Sequence, residues 1–324
     1  MQKIVCIVGP TAAGKTNLAF LLAQKSNGAL VSADAVQVFK KLNIISGKDI
    51  PSEASYKNLP QLSKDGYDSG FYTYHNLPIF LLDVVEPTSS FSVSEFRELA
   101  ENTIDYISDR KMLPIIVGGT GLYVNAILNG IDSLSVKPDF KLRAELSNLT
   151  VSELQKNLES LDKKKLASMN KSDVNNKRRL IRAIEISRVT DNESKVMKKN
   201  NYESLTIGLY CDKEALKKRI DERVDGRLKS GALEEAKHLF QNYNNLAQQV
   251  KDANGYKQLF HYLQGKVSWD EALYRWKISE YHHAKNQMTW FRKYGNVEWF
   301  DIEDKNFRDV VENRISYFLS SETK

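Results

Sequence analysis

The residues best suited to chemistry stand near the start of the chain, where Gly9–Thr16 reads Gly-Pro-Thr-Ala-Ala-Gly-Lys-Thr. This is a complete G-x-x-x-x-G-K-[ST] phosphate-binding loop, and it directly follows the apolar run Lys3–Val8. In such a loop, backbone N–H groups surround an anion at the start of a helix. The predicted phosphate contacts are Gly9, Pro10, Thr11, Ala12, Ala13, Gly14, Lys15 and Thr16. Lys15 supplies a positive charge, and the Thr16 hydroxyl is the expected Mg²⁺ ligand.

A second motif, Ser32–Gln37, follows the second predicted strand. Ligand groups in open parallel sheets lie beyond the carboxyl ends of the strands, so we expect Asp34 to lie beside the phosphate loop. An aspartate there could be a general base, a ligand to metal through water, or only a helix cap. The third motif, Gly118–Tyr123, also follows a strand. Its glycines allow close backbone approach, and Thr120 is either a cap or a ligand contact.

Hydrophobic periodicity predicts the elements that must position these motifs. In the first part of the chain we expect strands at 3–8, 29–33, 79–85 and 113–118, and helices at 15–26, 93–110 and 121–129. Residues 49–78 show little periodicity and are predicted to form a long loop or a small cap. Later, strands are expected at 205–210 and 297–300, and helices at 213–229, 232–243 and 268–293. Unbroken apolar strands indicate a parallel sheet covered on both faces.

The chain is therefore predicted to be an α/β protein with a P-loop NTPase-like parallel sheet core and a helical insertion domain. We expect residues 1–130 and 201–324 to form the catalytic core with C-terminal helices, and 131–200 to form the insertion. Residues 137–200 contain 16 Lys/Arg against 9 Asp/Glu, and carry the whole basic excess of a chain whose net charge is +6. This excess is typical either of a solvated helical surface or of a surface that binds a polyanion.

Composition excludes several classes of protein. With 41% hydrophobic and 27% charged residues, the 324-residue chain is typical of a soluble globular protein. No apolar run approaches the roughly 20 residues that span a bilayer, so no membrane partner is expected. The first residues lack the pattern of a signal peptide, and we expect a cytoplasmic protein.

Together these motifs resemble the tRNA dimethylallyltransferase (isopentenyltransferase) family over nearly the whole chain. The resemblance rests on an ordered series of segments: Gly9–Thr16, Ser32–Asp34 with Gln37, Asp83 with Pro87 and Phe91–Ser92, Val117–Tyr123, Arg178–Arg179, Arg182–Glu185, Arg223–Asp225, Gly231–Glu235, Gly255–Lys257 and Ala284–Arg292. The chain differs from the usual family pattern at Ala35 and Phe39, where hydroxyl residues are common, and at His282–His283, where two basic residues are common.

The resemblance implies transfer of a dimethylallyl group from dimethylallyl diphosphate to the exocyclic amine of the adenine just 3′ of a tRNA anticodon. The loop would hold the diphosphate with Mg²⁺, Arg223 would reach the same diphosphate, and Asp34 would be the general base. The insertion would bind the anticodon stem-loop, and the protein is expected to be a monomer. Residues expected to contact tRNA are Asp34, Ala35, Val36, Gln37, Thr120, Arg143, Lys177, Arg178, Arg179, Arg182, Lys285 and Arg292.

Two other functions fit part of the sequence. The phosphate loop and Asp34 alone would suit a small-molecule kinase that uses ATP. A non-catalytic RNA-binding module with a relic loop would suit the basic segment. Against the relic, the loop retains Lys15 and Thr16, and against the kinase, no arginine-rich lid over a nucleotide is evident.

Overall fold

The computed structural model describes residues 1–63, 67–130, 136, 139–189 and 202–321. The strands are β1 (Gln2–Val8), β2 (Gly28–Ser32), β3 (Ser55–Asn58), β4 (Gly70–Tyr74), β5 (Leu77–Phe80), β6 (Leu113–Val117), β7 (Tyr202–Tyr210) and β8 (Val297–Asp301). The helices are α1 (Lys15–Lys25), α2 (Val93–Asp109), α3 (Gly121–Leu128), α4 (Phe140–Ser147), α5 (Val151–Leu161), α6 (Lys163–Ser168), α7 (Lys171–Val174), α8 (Lys177–Arg188), α9 (Lys213–Lys229), α10 (Ala232–Asn242), α11 (Gln248–Asp252), α12 (Tyr256–Leu263), α13 (Trp269–Tyr294) and α14 (Phe307–Ser320), with a short 3₁₀ helix at Pro60–Leu62.

The strands form one eight-stranded sheet in the order β3-β4-β5-β2-β6-β1-β7-β8. The six strands from β5 to β8 in this order pair in parallel, and β3 and β4 extend the β5 edge antiparallel. The predicted parallel α/β fold is confirmed. Because β1 lies between β6 and β7, the loop that follows it opens at the centre of the carboxyl edge of the sheet.

The two faces of the sheet bury alternate residues of each strand. In β1, Ile4, Cys6 and Val8 belong to one apolar core, and Val5 and Ile7 belong to the other. Residues of α2, α3 and α10–α13 complete the first core, and residues of α1 and α14 complete the second. Burial on both faces explains why these strands form unbroken apolar runs in the sequence. Among the described residues, no helix has both the length and the apolar character needed to cross a bilayer.

The long loop predicted at 49–78 is wrong, because this segment contains β3 and β4; its residues 64–66 lie outside the described residues. His75 and Asn76 both have positive φ angles, 47° and 62°, which is the geometry of a two-residue hairpin turn between β4 and β5. The strand predicted at 79–85 is also shorter than expected: it spans Leu77–Phe80. Leu81 and Asp83 have φ angles of 60° and 55°, and this left-handed backbone cannot continue a strand.

The chain divides into two compact units, Met1–Leu128 with Asn200–Lys324, and Asn129–Lys199. The expected boundary residues 131 and 200 lie outside the described residues. The second unit consists of α4–α8 around its own apolar core, to which Leu154, Leu158 and Ile184 contribute.

A buried carboxylate ties two helices of this second unit together. Glu185 of α8 accepts hydrogen bonds from Arg143 Nε (2.6 Å) and Arg182 Nη1 (2.9 Å). Burial would raise the pKa of Glu185, but these hydrogen bonds outweigh it and lower the pKa. The carboxylate therefore stays charged and paired inside the unit.

In the first unit, one carboxylate fixes the loop around Ile44. The Glu235 side chain, in the first turn of α10, accepts hydrogen bonds from the backbone N–H groups of Asn43 (2.8 Å), Ile44 (2.8 Å) and Ile45 (3.1 Å). The Tyr256 hydroxyl donates a fourth hydrogen bond at 2.6 Å. Four donors converge on one acceptor group, so this loop depends on a charged side chain.

We therefore expect Glu235→Gln to destabilise the protein. A glutamine amide would turn donor hydrogens toward backbone donors, and each hydrogen bond to a charged group contributes roughly 1.5–3 kcal/mol. The free energy of unfolding, measured by urea titration, should fall by about 2–4 kcal/mol. The matched control is Glu234→Gln, which removes the same charge from an exposed neighbour on the same helix. Equal stability of the two variants would contradict the role given to Glu235.

Candidate active site

The phosphate loop runs from Val8, the end of β1, to Lys15, the start of α1. Three of its residues have positive φ angles: Gly9 (137°), Ala12 (63°) and Gly14 (81°). A Cβ atom on Gly9 would lie 2.5 Å from the Leu209 carbonyl oxygen, so the loop must have glycine there to pass β7. Successive backbone turns of this kind make an anion-binding concavity.

Lys15 lies within this loop, and its Nζ donates a hydrogen bond to the Pro10 carbonyl oxygen at 2.7 Å. Burial lowers the pKa of Lys15 to about 7, and the positive charge of Arg223 contributes to this lowering, while Asp34 acts in the opposite direction. The lysine is therefore poised between its charged and neutral forms near neutral pH. A bound anion would favour the charged form.

Two side chains from distant helices hold the loop in place. Gln287 of α13 is buried; its Oε1 accepts a hydrogen bond from Thr11 N at 2.8 Å, and its Nε2 donates to Gly119 O at 3.0 Å. Arg219 Nε of α9 donates to Ala12 O at 3.1 Å. The first and third sequence motifs are thus joined through one glutamine.

Asp34 stands just beyond β2 in a tight turn. Its Oδ1 accepts hydrogen bonds from Val36 N (2.8 Å) and Gln37 N (3.3 Å), which is the capping role that the sequence left open. Its Oδ2 has no hydrogen-bond partner within the described parts of the chain. The aspartate therefore has one oxygen fixed by the turn and one available to a ligand.

The neighbouring polar side chains are already paired within the protein. Thr120 Oγ1 accepts a hydrogen bond from Ala35 N at 3.0 Å. Gln37 Oε1 accepts one from the Ser32 hydroxyl at 2.9 Å, and Gln37 Nε2 donates to Gly47 O at 2.8 Å. These bonds fix which end of the Gln37 amide points to which neighbour.

A buried cation supports the loop that contains Gly47. Lys48 Nζ donates hydrogen bonds to Phe39 O (2.6 Å) and Asn43 Oδ1 (3.0 Å), and it pairs with Asp83. The Tyr72 hydroxyl of β4 donates to the other Asp83 oxygen at 2.6 Å. The antiparallel strands that the sequence did not reveal thus contribute to the support of the site.

These groups surround one cavity of about 720 Å³. The predicted site residues on its wall are Thr11, Ala12, Gly14, Lys15, Thr16, Asp34, Ala35, Val36, Gln37, Thr120 and Arg223. Gly9, Pro10 and Ala13 belong to the loop without lining the cavity, and Lys285 and Arg292 are exposed on α13 away from its wall. The five remaining predictions, Arg143, Lys177, Arg178, Arg179 and Arg182, belong to the separate unit of α4–α8.

Sequence reasoning missed several residues of this wall. Arg219 and Arg227 line the cavity together with Arg223. The three arginines are spaced by four along α9, which places them on one face of a helix, and this signal was visible in the sequence. Ser46, Gly47 and Lys48 also line the cavity, and nothing in their sequence pattern points to a ligand.

In the second unit, three cations occupy the first turn of α8: Lys177, Arg178 and Arg179. Basic residues at a helix N-terminus oppose the helix dipole and cost stability. Arg178 and Arg179 are exposed, and Arg179 pairs with Asp173. A cluster placed against the electrostatic preference of its own helix favours an anionic partner over a merely solvated surface.

Metal chemistry at the cavity would depend on few protein ligands. Among the residues described, no group of three or more His, Cys, Asp or Glu side chains could hold a metal ion. Thr16 offers one hydroxyl at the cavity wall. Mg²⁺ retains several water molecules and binds phosphate oxygens, so a single hydroxyl beside a phosphate loop fits it.

A phosphate loop, an available carboxylate oxygen and a row of arginines lie around one cavity at the edge of a mostly parallel sheet, and together they place the chain among P-loop-like α/β proteins. The family model for IPP transferase matches residues 37–294, and the chain belongs to this family.

Relatives and solved structures agree with this membership. The chain is 37% identical over 312 residues to the tRNA dimethylallyltransferase of Geobacillus kaustophilus, covering 94% of this chain and 91% of that protein. It is 34% identical over 320 residues to that of Finegoldia magna, with coverage of 95% and 94%. The crystal structure of the full-length tRNA isopentenylpyrophosphate transferase of Bacillus halodurans matches with a TM-score of 0.69 at 35% identity, covering 98% and 97%. A eukaryotic dimethylallyltransferase described as acting on tRNA matches with a TM-score of 0.75 at 25% identity, covering 98% of this chain and 78% of that one.

The lowered pKa of Lys15 predicts an unusual effect of Lys15→Met. Below pH 7 the folded protein holds the charged Lys15 away from water, and this lowers its stability relative to the unfolded chain. As pH rises from 7 to 10, Lys15 loses its proton in the folded protein before it does so in the unfolded chain, and the loss of stability disappears. We expect the variant to melt at a higher temperature than wild type at pH 6.5, with a smaller gain at pH 9.5, and to lose pyrophosphate affinity. Lys25→Met on α1, where the side chain is 58% exposed, is the control. A gain that does not depend on pH would contradict the burial of charge at Lys15.

Proposed function

We propose that the protein transfers a dimethylallyl group from dimethylallyl diphosphate to the exocyclic amine of the adenine just 3′ of a tRNA anticodon, and releases diphosphate. The observation that carries this proposal is that the phosphate loop, Arg223 and the available oxygen of Asp34 wall the same cavity. Relatives named tRNA dimethylallyltransferase, similar over more than nine-tenths of both chains, support it. We also expect the protein to act as a monomer in the cytoplasm.

The donor end of the site holds the leaving group. As the bond between the prenyl carbon and oxygen breaks, negative charge grows on the diphosphate. Lys15 and Arg223 stabilise this charge because both already line the cavity before the reaction. Mg²⁺, held by the Thr16 hydroxyl together with diphosphate oxygens and water, would neutralise a further part of it. The backbone N–H groups of the loop orient the diphosphate at the start of α1.

The acceptor end supplies a base. The adenine amine is a weak nucleophile because its lone pair is delocalised into the ring. As nitrogen forms its bond to the prenyl carbon, Oδ2 of Asp34 accepts one proton from the amine, and the electron pair of the broken carbon–oxygen bond leaves with the diphosphate. Hydrogen bonds from Val36 N and Gln37 N hold the other oxygen, so the carboxylate is oriented before substrate arrives.

The adenine must leave the base stack to enter this cavity. Gln37 and Thr120 are the side chains proposed to contact it, with Ala35 and Val36 forming the adjacent wall. The basic residues of α8, together with Arg143, Arg182, Lys285 and Arg292, are proposed to bind the phosphates of the anticodon stem-loop. Arg143 and Arg182 each also hold Glu185, so they combine a structural role with the proposed one.

The kinase alternative is not favoured, since the relatives that match nearly the whole chain are named as transferases of a prenyl group to tRNA. The direct test incubates the protein with labelled dimethylallyl diphosphate and tRNA, and separately with ATP and no prenyl donor. Labelled tRNA and one released diphosphate for each transfer support the proposal. ATP turnover without labelled tRNA would support the kinase instead.

Replacing Asp34 by asparagine should separate binding from chemistry. Asparagine keeps an oxygen for the hydrogen bonds from Val36 and Gln37 but cannot accept the amine proton. In single-turnover experiments with saturating enzyme, we expect the chemical step to slow by roughly 10²–10⁴ while tRNA and donor bind nearly as before. Glu222→Gln, which removes a negative charge from the same cavity wall, is the control and should stay within a few-fold of wild type. If a higher Mg²⁺ concentration restores the rate of the Asp34→Asn variant, Asp34 acts as an indirect metal ligand and not as the general base.

The three cations of α8 can be tested through the salt dependence of tRNA binding. Replacing Lys177, Arg178 and Arg179 by glutamine should weaken tRNA binding and reduce the salt slope by about 0.7–0.9 for each lost phosphate contact. Stability should not fall, because these charges oppose the helix dipole. Replacing the exposed Lys213, Lys217 and Lys305 removes the same charge elsewhere and serves as the control. An unchanged slope in the α8 variant would make the cluster a solvated surface.

A further inference from the structure

Arg227 is the last of three arginines spaced by four along α9. Arg219 contacts the phosphate loop through Ala12 O, Arg223 follows one turn later, and Arg227 one turn after that. All three line the cavity. The three arginines thus form a positively charged strip on the cavity wall, which begins at the phosphate loop. Arg227 lies one helical turn beyond Arg223, the residue expected to contact the diphosphate.

Arg227 is a largely buried cation with a weak partner. Its side chain is 10% exposed, and Nη1 lies 3.5 Å from Glu280 Oε1. Hydrogen bonds between charged groups are normally 2.7–2.9 Å long, so this pair is loose. The buried Nε of Arg227 has no hydrogen-bond partner within the described residues. A buried guanidinium with an unused donor is costly unless a ligand supplies the acceptor.

A second cation lies beside it. A Cβ atom on Gly47 would overlap Nη2 of Arg223 and Nη2 of Arg227, so both guanidinium groups rest against this glycine. Arg223 also has a loose partner, Asp49 Oδ2 at 3.6 Å, whose side chain is 65% exposed. Burial lowers the pKa of Arg227 to about 10, and repulsion from Arg223 is the second cause. Two adjacent guanidinium groups with only distant carboxylates need an anion between them.

We propose that Arg227 is a substrate-binding residue that joins Arg223 in holding one phosphate group. The inference rests on the proposed function, which supplies two phosphates of this kind: the diphosphate of the prenyl donor and the RNA backbone beside the reacting base. The donor is the better source, because Arg223 and Arg227 line the same cavity as the phosphate loop. The positive charge of Arg223 also helps to lower the pKa of Lys15 in that loop. A phosphate oxygen has lone pairs enough to accept from both guanidinium groups.

The test must remove Arg227 without leaving Glu280 as an unpaired buried charge. We therefore compare Arg227→Gln/Glu280→Gln with Glu280→Gln alone, in which the amide oxygen can still accept the hydrogen bond from Trp276 Nε1. Inorganic pyrophosphate is titrated by calorimetry, tRNA by filter binding across a range of salt, and the folding of both variants is checked by thermal unfolding. Lys217→Gln, an exposed residue of α9 that does not line the cavity, controls for loss of one charge.

We expect the double variant to bind pyrophosphate about tenfold or more weakly than Glu280→Gln, as befits loss of a charged hydrogen-bond donor. Unchanged pyrophosphate affinity with a tenfold loss of tRNA affinity would assign the phosphate to the RNA backbone. Changes below twofold in both would overturn the proposal. Both titrations measure binding and need no transfer reaction. A lack of prenyl transfer by the wild-type protein would therefore contradict the proposed function, while the measured affinities would still decide whether Arg227 binds phosphate.

Discussion

The structure depends on holding several positive charges around one cavity before any anion is present. Lys15, Arg219, Arg223 and Arg227 meet there, and the facing carboxylates of Asp49 and Glu280 stand 3.6 and 3.5 Å away, too far for tight pairing. Such an arrangement is unfavourable by itself, because like charges repel and because Arg227 is largely shielded from water. Two apolar cores on the faces of the sheet must offset that cost. In return, the site is organised for charge that appears only during the reaction.

Neutral amides do much of the positioning in this site. Gln287 joins the phosphate loop to the Gly119 turn, and Gln37 joins the end of β2 to the Gly47 loop. An amide can both donate and accept, so it can tie two backbone segments together without adding charge. A carboxylate in either position would neutralise cations that the ligand needs. Two charged side chains hold the neighbouring part of the Gly47 loop: Glu235 accepts from Asn43 N, and Lys48 donates to Phe39 O.

The sequence predicted the parallel core and the three motifs because each depends on local patterns: unbroken apolar strands and glycines at strand ends. It did not reveal β3 and β4, since β3 is wholly exposed and its residues carry no apolar alternation. The hairpin turn at His75–Asn76 lacks glycine, the usual signal for positive φ. The spacing of Arg219, Arg223 and Arg227 is visible in the sequence, but the contact of Arg223 and Arg227 with Gly47 is not, because Gly47 lies far earlier in the chain and reaches α9 only after folding.

The paired state of Gln37 has a consequence for selectivity. A base that bonds to the Gln37 amide, as proposed above, would compete with the hydrogen bonds to Ser32 and Gly47 that the amide already makes. On its N6/N7 edge, adenine presents one donor beside one acceptor, and the amide can exchange both bonds one for one. Guanine presents two acceptors on the corresponding edge, and one exchange would leave a polar atom unsatisfied. The internal hydrogen bonds of Gln37 would then compete with the incoming base, and only adenine would replace both of them. Discrimination between adenine and guanine would therefore be present before any ligand binds.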